Sequence, residues 1–258
     1  MAQDEVTRHY ESLLAANYTW MFGVPFDAKV AEQRDLLRLV LADEADAPGP
    51  AIDLGSGPGY QAIALADLGF APVLALDTSR ALLNELEAHR GGRAIEWVCA
   101  DLRDVKNIYG QKRARIVVCM GDTLTHLPDP GSVERLFADT YDLLEPGGLL
   151  MLTFRDLSAP LEGLDRFIPI RSEADRIMTC FLEYEPGFVR VHDLIHSRDG
   201  EAWSLQKSSY KKLRLSGSDV ARHLGEAGFE VVVNEPMGRL VGLLAKKPRV
   251  GHVVTGTS

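Results

Sequence analysis

Three alternate glycines, Gly55, Gly57 and Gly59, separate an apolar run from a helical pattern in the stretch AIDLGSGPGYQAIALADL. Glycines at a strand-to-helix turn allow positive φ and let a ligand approach the main chain, while the helix N-terminus supplies unpaired N–H groups. Asp53 stands two residues before the first glycine, where we expect its carboxylate to face the ligand. A carboxylate repels a pyrophosphate but attracts a sulfonium or an ammonium group. The turn therefore predicts a nucleotide-like ligand that carries positive charge.

Two further acidic residues end the next two predicted strands. Asp77 follows the strand predicted for 72–76, where an acidic side chain can accept hydrogen bonds from both ribose hydroxyls. Dinucleotide-binding folds place an acid at the same point, so Asp77 indicates an adenosine ligand without choosing the enzyme class. Asp101 ends the strand predicted for 95–100, and its alternative role is the cap of a helix or turn.

These motifs together resemble those of the class I S-adenosylmethionine (SAM) dependent methyltransferases. The run from Asp53 to Gly59, DLGSGPG, resembles their motif I, and VCADLRD resembles the segment whose acidic residue binds the adenine amino group. The run CMGDTLTHL resembles motif IV of the small-molecule methyltransferases, and LLEPGG resembles their structural L-x-P-G-G turn. The resemblance covers roughly 51–154 and 218–246. It implies SAM as cofactor and S-adenosylhomocysteine (SAH) as product.

The resemblance and the aromatic run near the N-terminus predict a set of cofactor contacts. The predicted cofactor-binding residues are Asp53, Gly55, Gly57, Gly59, Asp77, Thr78, Asp101, Leu102, Met120, Tyr18 and Trp20.

The predicted chemistry is an in-line displacement at the methyl group of a sulfonium, which needs positioning and desolvation more than covalent help. A base is required only if the acceptor arrives protonated. His126 is the best candidate for that base, and its alternative role is a histidine bonded to backbone. Asp122 is predicted to bind the cofactor or to orient the acceptor.

Strand-like and helical patterns alternate from Ala51 to Phe154. This alternation indicates a parallel sheet covered on both faces, with the ligand outside the carboxyl ends of the strands. The predicted fold class is α/β: a Rossmann-like, seven-stranded, mostly parallel sheet with helices on both faces, plus an inserted antiparallel β-meander. The predicted domains are an N-terminal helical lid (1–46), the SAM-binding domain (47–156 and 216–248), a substrate cap (157–215) and a flexible tail (249–258).

The N-terminal residues 4–17 have a helical pattern followed by the aromatic run YTWMFG. Two interpretations remain open: a helix whose aromatic residues pack in the core, or a lid that shields the methyl donor from water.

The meander is predicted as three strands, 176–184, 188–196 and 202–215, with Pro186-Gly187 and Asp199-Gly200 as turns. It is expected to roof a substrate chamber, and an inward arginine would indicate an acceptor with a carboxylate or a phosphate. The predicted substrate-binding residues are Arg155, Arg166, Tyr184, His192 and Tyr210.

Composition narrows the function classes. Of the 258 residues 46% are apolar and 25% charged, as in soluble globular proteins, and the net charge of −9 argues against a nucleic-acid substrate. The three cysteines are odd in number and widely spaced, which favours buried free thiols over a disulfide or a metal site. The N-terminus lacks an apolar targeting segment, and no apolar run is long enough to span a membrane. We therefore expect a cytoplasmic enzyme, monomeric or homodimeric, that acts on a small molecule.

Two other functions remain open at this point. A nicotinamide-dependent oxidoreductase is disfavoured by Asp53 and by the lack of a Tyr-x-x-x-Lys signature near the fourth strand. A non-catalytic SAM-binding regulator is compatible with an intact cofactor motif.

Overall fold

A computed structural model describes residues 5–42 and 47–249 of the chain. Apart from Arg249, the tail predicted for 249–258 lies outside the described residues.

The helices and strands of the described residues follow one another in an α/β order up to β5. The α-helices are α1 (Glu5–His9), α2 (Tyr18–Phe22), α3 (Phe26–Leu41), α4 (Tyr60–Asp67), α5 (Arg80–His89), α6 (Val105–Tyr109), α7 (Pro130–Leu143) and α8 (Gly217–Glu226). The strands are β1 (Ala51–Leu54), β2 (Val73–Asp77), β3 (Ile95–Cys99), β4 (Ala114–Cys119), β5 (Leu144–Phe154), β6 (Phe167–Ser172), β7 (Arg176–Glu185), β8 (Phe188–Asp199), β9 (Ala202–Leu213), β10 (Glu230–Met237) and β11 (Leu240–Lys246).

The main sheet has seven strands in the order β10-β11-β5-β4-β1-β2-β3. Strands β1 to β5 run parallel, and β11 lies antiparallel to both β5 and β10. The predicted Rossmann-like sheet is therefore confirmed. Because the strand order reverses between β1 and β4, the carboxyl ends of these strands border the crevice in which such folds bind ligands.

Apolar clusters cover both faces of the main sheet. One face packs against α6, α7 and α8 through residues such as Phe137 and Leu224, and the other packs against α3, α4 and α5 through residues such as Leu37 and Leu83. Every residue of the central strand β4 is buried. The sheet is a rigid platform that fixes the positions of the loops at its carboxyl edge.

The inserted region forms a second, antiparallel sheet in the order β6-β7-β8-β9, which we call the cap sheet. The sequence predicts three of these strands, and the structure adds β6. This edge strand contains Pro169 and a bulge between Pro169 and Arg171, so its sequence lacks the regular alternation that signals a strand.

Residues 5–22, the N-terminal segment, form a helical run of changing pitch rather than one α-helix. After α1 come a π-helical turn at Tyr10–Leu14, a 3₁₀ turn at Ala15–Asn17 and then α2, which ends at Gly23 with φ of 74°. A π-helical turn adds a residue to the helix and rotates the side chains that follow it, and such turns occur often at functional sites.

Two local features refine the sequence analysis. The N-cap of α8 is Ser216, whose hydroxyl accepts a hydrogen bond from the Asp219 N–H. Helix α6, which follows the 3₁₀ turn at Leu102–Asp104, was not predicted because it is too short to show a helical period.

Candidate functional site

A cleft lies at the carboxyl edge of the main sheet, with the N-terminal segment as its opposite wall. It encloses about 750 Å³ of empty space, including its open mouth. The segment contributes Val6, Thr7, Tyr10 and Tyr18. The loops after β1 to β4 contribute Gly55, Gly57, Asp77, Thr78, Asp101, Leu102, Arg103, Gly121, Thr123 and His126.

The glycine loop after β1 has the geometry that the sequence predicts. Gly55, Gly57 and Gly59 all have positive φ. A Cβ atom on Gly55 would stand 2.2 Å from the Thr123 side chain, and one on Gly59 would stand 2.2 Å from the Leu86 side chain. Gly59 therefore packs against a helix and does not line the cleft, whereas Gly55 and Gly57 form part of the cleft wall.

Asp53 lies deeper than the sequence suggests. Its side chain is 1% exposed and is not part of the cleft wall, although we expected it to face the ligand. The pKa of this carboxyl is raised to about 8. Burial is the main cause, nearby Asp77 contributes in the same direction, and a hydrogen bond from the Ala62 backbone opposes the shift. The atom Oδ2 has no partner within the described residues, and neither does the buried Ser56 hydroxyl. These two unpartnered groups leave hydrogen-bonding capacity beside the loop.

Asp77 and Asp101 both line the cleft, and each already accepts hydrogen bonds from backbone N–H groups of the loops at this edge of the sheet. The Asp77 carboxylate accepts hydrogen bonds from the Gly57 N–H at 2.8 Å and the Ser79 N–H at 2.7 Å. Asp101 caps the 3₁₀ turn, accepting from the Arg103 N–H at 2.8 Å, and pairs with the Arg103 guanidinium. Burial opposes ionisation of Asp101, but its bonds to Arg103 keep its pKa below the ordinary value. The capping role therefore coexists with a place in the cleft.

Asp122 joins the main sheet to the cap sheet. It has a φ of 91°, which is unusual for a residue other than glycine and marks a strained position. Its Oδ1 accepts from the Arg155 N–H at 2.9 Å, and its Oδ2 accepts from Lys212 Nζ of β9 at 2.5 Å. Burial raises its pKa, but Lys212 and the Arg155 N–H outweigh that effect and lower it. Asp122 is a buried ionised carboxylate that does not appear in the cleft wall.

His126 lies on the cleft wall and contacts the rings of two tyrosines. Its ring meets the rings of Tyr10 at 5.9 Å and Tyr210 at 5.5 Å, both edge to face. Its Nε2 is buried and has no partner within the described residues. Burial, helped by the positive charge of Lys212 and opposed by Asp122, lowers the pKa of His126 to about 3. The imidazole is therefore neutral at physiological pH and is a weak base.

Two predicted cofactor residues lie away from the cleft wall. Met120 is buried in the apolar cluster below the main sheet's edge. Trp20 turns toward the cap sheet, where its Nε1 donates to Glu173 at 2.8 Å and its ring lies under the guanidinium groups of Arg171 and Arg176.

The predicted substrate residues are also divided. Tyr210 is buried against His126, and Arg155 Nε lies 3.4 Å from the Asp122 carboxylate. Tyr184 is packed in the apolar cluster between β7 and β8. None of the five predicted substrate residues is among those that line the cleft.

His192 and Arg166 occupy the outer face of the cap sheet. His192 pairs with Glu183 at 3.1 Å, and Arg166 lies over the ring of Phe181. Residues 189, 191 and 193 of β8 point inward, so the predicted alternation holds, but His192 has the wrong parity for a cleft residue.

Sequence reasoning missed several polar residues of the roof. His9 of α1 bonds Asp193 of β8 at 3.0 Å, and Lys212 of β9 bonds Asp122. One signal was present: an aspartate at 193 shares a face with Val189 and Val191, which indicates a buried carboxylate with a partner. Lys212 lies on the same face of β9 as Tyr210, because alternate residues of a strand share a face, so it too could have been placed on the inner face.

Comparison with known proteins bears on this site. Residues 51–148, which include the glycine loop and β1 to β4, match the family described as "Methyltransferase domain". Residues 51–148 are therefore similar to a methyltransferase domain, in line with the resemblance of the sequence motifs to the class I SAM-dependent methyltransferases. SAM is the cofactor of this class, and the cleft offers positive-φ glycines, two carboxylates and unpartnered buried oxygens beside them.

Curated relatives are similar to this chain over part of their length. A glycine/sarcosine N-methyltransferase of Parasynechococcus marenigrum (strain WH8102) is 26% identical over 161 residues, which cover 61% of this chain and 56% of the relative. A cypemycin N-terminal methyltransferase of a Streptomyces species is 30% identical over 149 residues, covering 51% and 58%. The chain thus spans a little over half the length of these relatives.

Among solved structures, the CcbJ methyltransferase of Streptomyces caelestis has the same fold over nearly the whole of this chain. Its TM-score is 0.77 at 22% identity, and the match covers 95% of this chain and 100% of that one. No helix within residues 5–42 and 47–249 is long and apolar enough to cross a membrane.

Proposed function

We propose that this protein is a SAM-dependent N-methyltransferase that acts on the neutral amine of a small molecule or peptide. The observation that carries the proposal is His126, a neutral imidazole of the cleft wall whose buried Nε2 has no partner among the described residues. The names of the relatives, glycine/sarcosine N-methyltransferase and N-terminal methyltransferase, support an amine acceptor.

The cleft residues would divide the cofactor among the strand ends. Gly55 and Gly57 let the ligand approach the loop, Asp77 accepts from ribose hydroxyls, and Asp101 accepts from the adenine amino group, as the class resemblance implies. When bound, SAM supplies an electrophilic methyl group on a sulfonium. Tyr10 and Tyr18 of the N-terminal segment exclude water from that group.

The chemistry of His126 separates nitrogen from oxygen as the methylated atom. A hydroxyl acceptor must lose its proton during transfer, and an imidazole with a pKa of about 3 is too weak a base to take it. A neutral amine already has its lone pair. His126 Nε2 would accept a hydrogen bond from the amine N–H and so aim that lone pair at the methyl carbon. The new N–C bond forms as the C–S bond breaks, and the ammonium product then loses its proton to solvent.

The charges around the chamber favour a neutral amine over an ammonium. Lys212 and Arg155 both lie against the carboxylate of Asp122, which leaves one positive charge in excess at this point. That excess repels an ammonium and attracts an acceptor that also carries a carboxylate or a phosphate.

Two measurements test the proposal. Calorimetric titration with SAH should give saturable binding, and NAD should give none. Amine acceptors, among them amino acids, amino sugars and peptide N-termini, are then incubated with SAM beside hydroxyl analogues of matched shape, and SAH is detected by mass. Amine-dependent SAH formation is the expected result. Equal transfer to hydroxyl analogues would overturn the N-methyl assignment, and SAH binding with no turnover would favour a SAM-binding regulator.

A further inference from the structure

A buried histidine-carboxylate pair, His9 and Asp193, lies outside the cleft lining, between the N-terminal segment and the cap sheet. His9 ends α1 and is 1% exposed, and Asp193 of β8 is 4% exposed. Their side chains meet at 3.0 Å between Nε2 and Oδ2. Because a carboxylate only accepts hydrogen bonds, the proton of the His9 ring is assigned to Nε2. The other ring nitrogen, Nδ1, has no partner among the described residues, so the bond to Asp193 is the hydrogen bond that orients the ring.

His9 also fixes an aromatic stack that reaches the cleft. Its ring lies 4.2 Å from the ring of Tyr210 at an angle of 29°, and Tyr210 meets His126 edge to face. Tyr10, the next residue in the chain, meets His126 from the other side and lines the cleft. One short stretch of the N-terminal segment therefore contacts both the cap sheet and the wall at His126.

We propose that the buried His9–Asp193 pair is a positioning device that seats the N-terminal segment over the cofactor and, by the same contact, holds Tyr210 against His126. The inference rests on the proposed function, since it assumes that the cleft binds SAM and SAH. The proposal links two events: Tyr210 is held against His126, where the acceptor would bind, only while the segment covers the cofactor. Release of SAH then requires this pair to separate.

Leu13 and Leu14 of the segment pack against Met178 and Ile195 of the cap sheet in a buried apolar cluster, which gives adhesion without direction. Two other polar contacts of the segment with the cap sheet are more exposed than the His9–Asp193 pair. Glu5 pairs with Arg190 at 2.6 Å, and Asn17 accepts from Arg176 at 3.1 Å, both at partly exposed positions. Ion pairs at such positions contribute little, whereas a buried hydrogen-bonded pair is costly to break. The buried His9–Asp193 pair is therefore the polar contact that sets the orientation of the segment on the cap sheet, in addition to the apolar packing.

The matched control lies on the same strand. His192 is the neighbour of Asp193, points to the outer face and pairs with Glu183 at 3.1 Å, so it too is a histidine-carboxylate pair of the cap sheet. His192→Phe removes a comparable contact without touching the N-terminal segment. His9→Phe keeps a ring against Tyr210 but removes the N–H donor, and His9→Gln keeps a donor but removes the ring.

The first experiment measures the release of tritium-labelled SAH from the full chain after a chase with excess unlabelled SAH. We expect His9→Phe to release SAH about tenfold faster, because a buried carboxylate is left without its partner. His9→Gln should lie between His9→Phe and the unmodified protein, and His192→Phe should release SAH at the unmodified rate. Asp193→Asn, which keeps an acceptor oxygen, should stay within about twofold of it.

The second experiment probes the surroundings of His126 in the absence of any acceptor. The ring-proton resonances of His126, assigned by NMR, report the positions of the two tyrosine rings beside it. They should shift in His9→Phe and stay in place in His192→Phe. Hydrogen exchange should increase within residues 5–22 and not in the main sheet. If His9→Phe does not fold, His9→Gln carries both readouts.

The outcomes separate the two proposals. If the unmodified protein fails to bind SAH, the proposed function is wrong. If it binds SAH but both His9 variants release it at the unmodified rate with unchanged His126 resonances, the positioning role is wrong and the proposed function stands. Equal acceleration by His192→Phe would also overturn the positioning role, because any cap-sheet contact would then serve.

Discussion

The two walls of the cleft hold their charged groups in different ways. On the main-sheet wall, Asp77 and Asp101 are bonded by backbone N–H groups of the loops at the sheet edge and remain on the cleft surface. On the cap-sheet side, Lys212 and Asp193 are buried and bonded to side chains of other elements. The main-sheet wall is thus preorganised by local structure, whereas the other wall exists only when three separate parts of the chain are assembled.

This difference predicts that the two walls fail in different ways. Changes on the main-sheet wall should weaken cofactor binding in a folded protein. Changes in the buried pairs of the cap sheet, such as Lys212–Asp122, should first lower the stability of the folded protein. Four substitutions test the comparison, in decreasing order of expected effect.

Lys212→Met should have the largest effect, on stability. It leaves the buried Asp122 carboxylate without its principal partner, and breaking one side of a buried ion pair costs about 3–5 kcal/mol. Urea unfolding checks this, with Lys207→Met on the same strand as control. A loss no greater than in the control would show that the two sheets are held together by other contacts.

Asp77→Ala should weaken SAM binding about tenfold or more while the protein stays folded. The substitution removes the acceptor of the Gly57 N–H and the predicted ribose contact, each a hydrogen bond to a charged group. Calorimetry with SAM measures the loss, and Asp67→Ala, in a surface pair with Arg93, is the control. Unchanged affinity would mean that the ribose is held elsewhere.

His126→Phe should lower turnover about tenfold with nearly unchanged SAM affinity, because it removes one orienting hydrogen bond to the acceptor. His126→Gln, whose amide oxygen can accept the same bond, should recover part of the rate. Steady-state kinetics on an amine acceptor provide the test, with His196→Gln on the outer face as control. A fully retained rate in His126→Phe would remove this residue from the reaction.

Asp53→Asn should have the smallest effect, seen in the pH dependence of stability without ligand. The pKa of Asp53 is raised from 3.8 to about 8, so between these values the folded protein keeps a proton that the unfolded chain has lost, and stability falls as pH rises up to about 8 and levels off above it. Between pH 7 and 9 the loss amounts to about 1 kcal/mol. Thermal unfolding of Asp53→Asn should lack this component; the same pH slope as in the unmodified protein would contradict the assignment.

The sequence predicted the main-sheet wall well because its signals are local. Glycines with positive φ, an apolar strand and an acidic residue at its end occur within a few residues of one another, so Gly55, Gly57, Asp77 and Asp101 could be placed without any tertiary information. Asp53 was the exception: the pattern locates it, but only the packing of α4 shows that its carboxyl is buried.

The roof was predicted poorly because its contacts join distant residues. His9 and Asp193 are far apart in the chain, and nothing near either residue indicates the other. The parity of β8 places Asp193 on the face of Val189 and Val191, which indicates burial, but it does not indicate that His9 is the partner. Trp20 likewise bonds Glu173, a residue far away in the chain, rather than lining the cleft.

The meeting of the two walls at the transferring methyl group is the central claim, and a crystal structure with bound SAH tests it most directly. The account predicts the adenosine between Asp77 and Asp101, and the sulfur facing His126 with Tyr10 and Tyr210 on either side. A structure in which His126 is remote from the sulfur, or in which the N-terminal segment leaves the sulfur open to solvent, would contradict it.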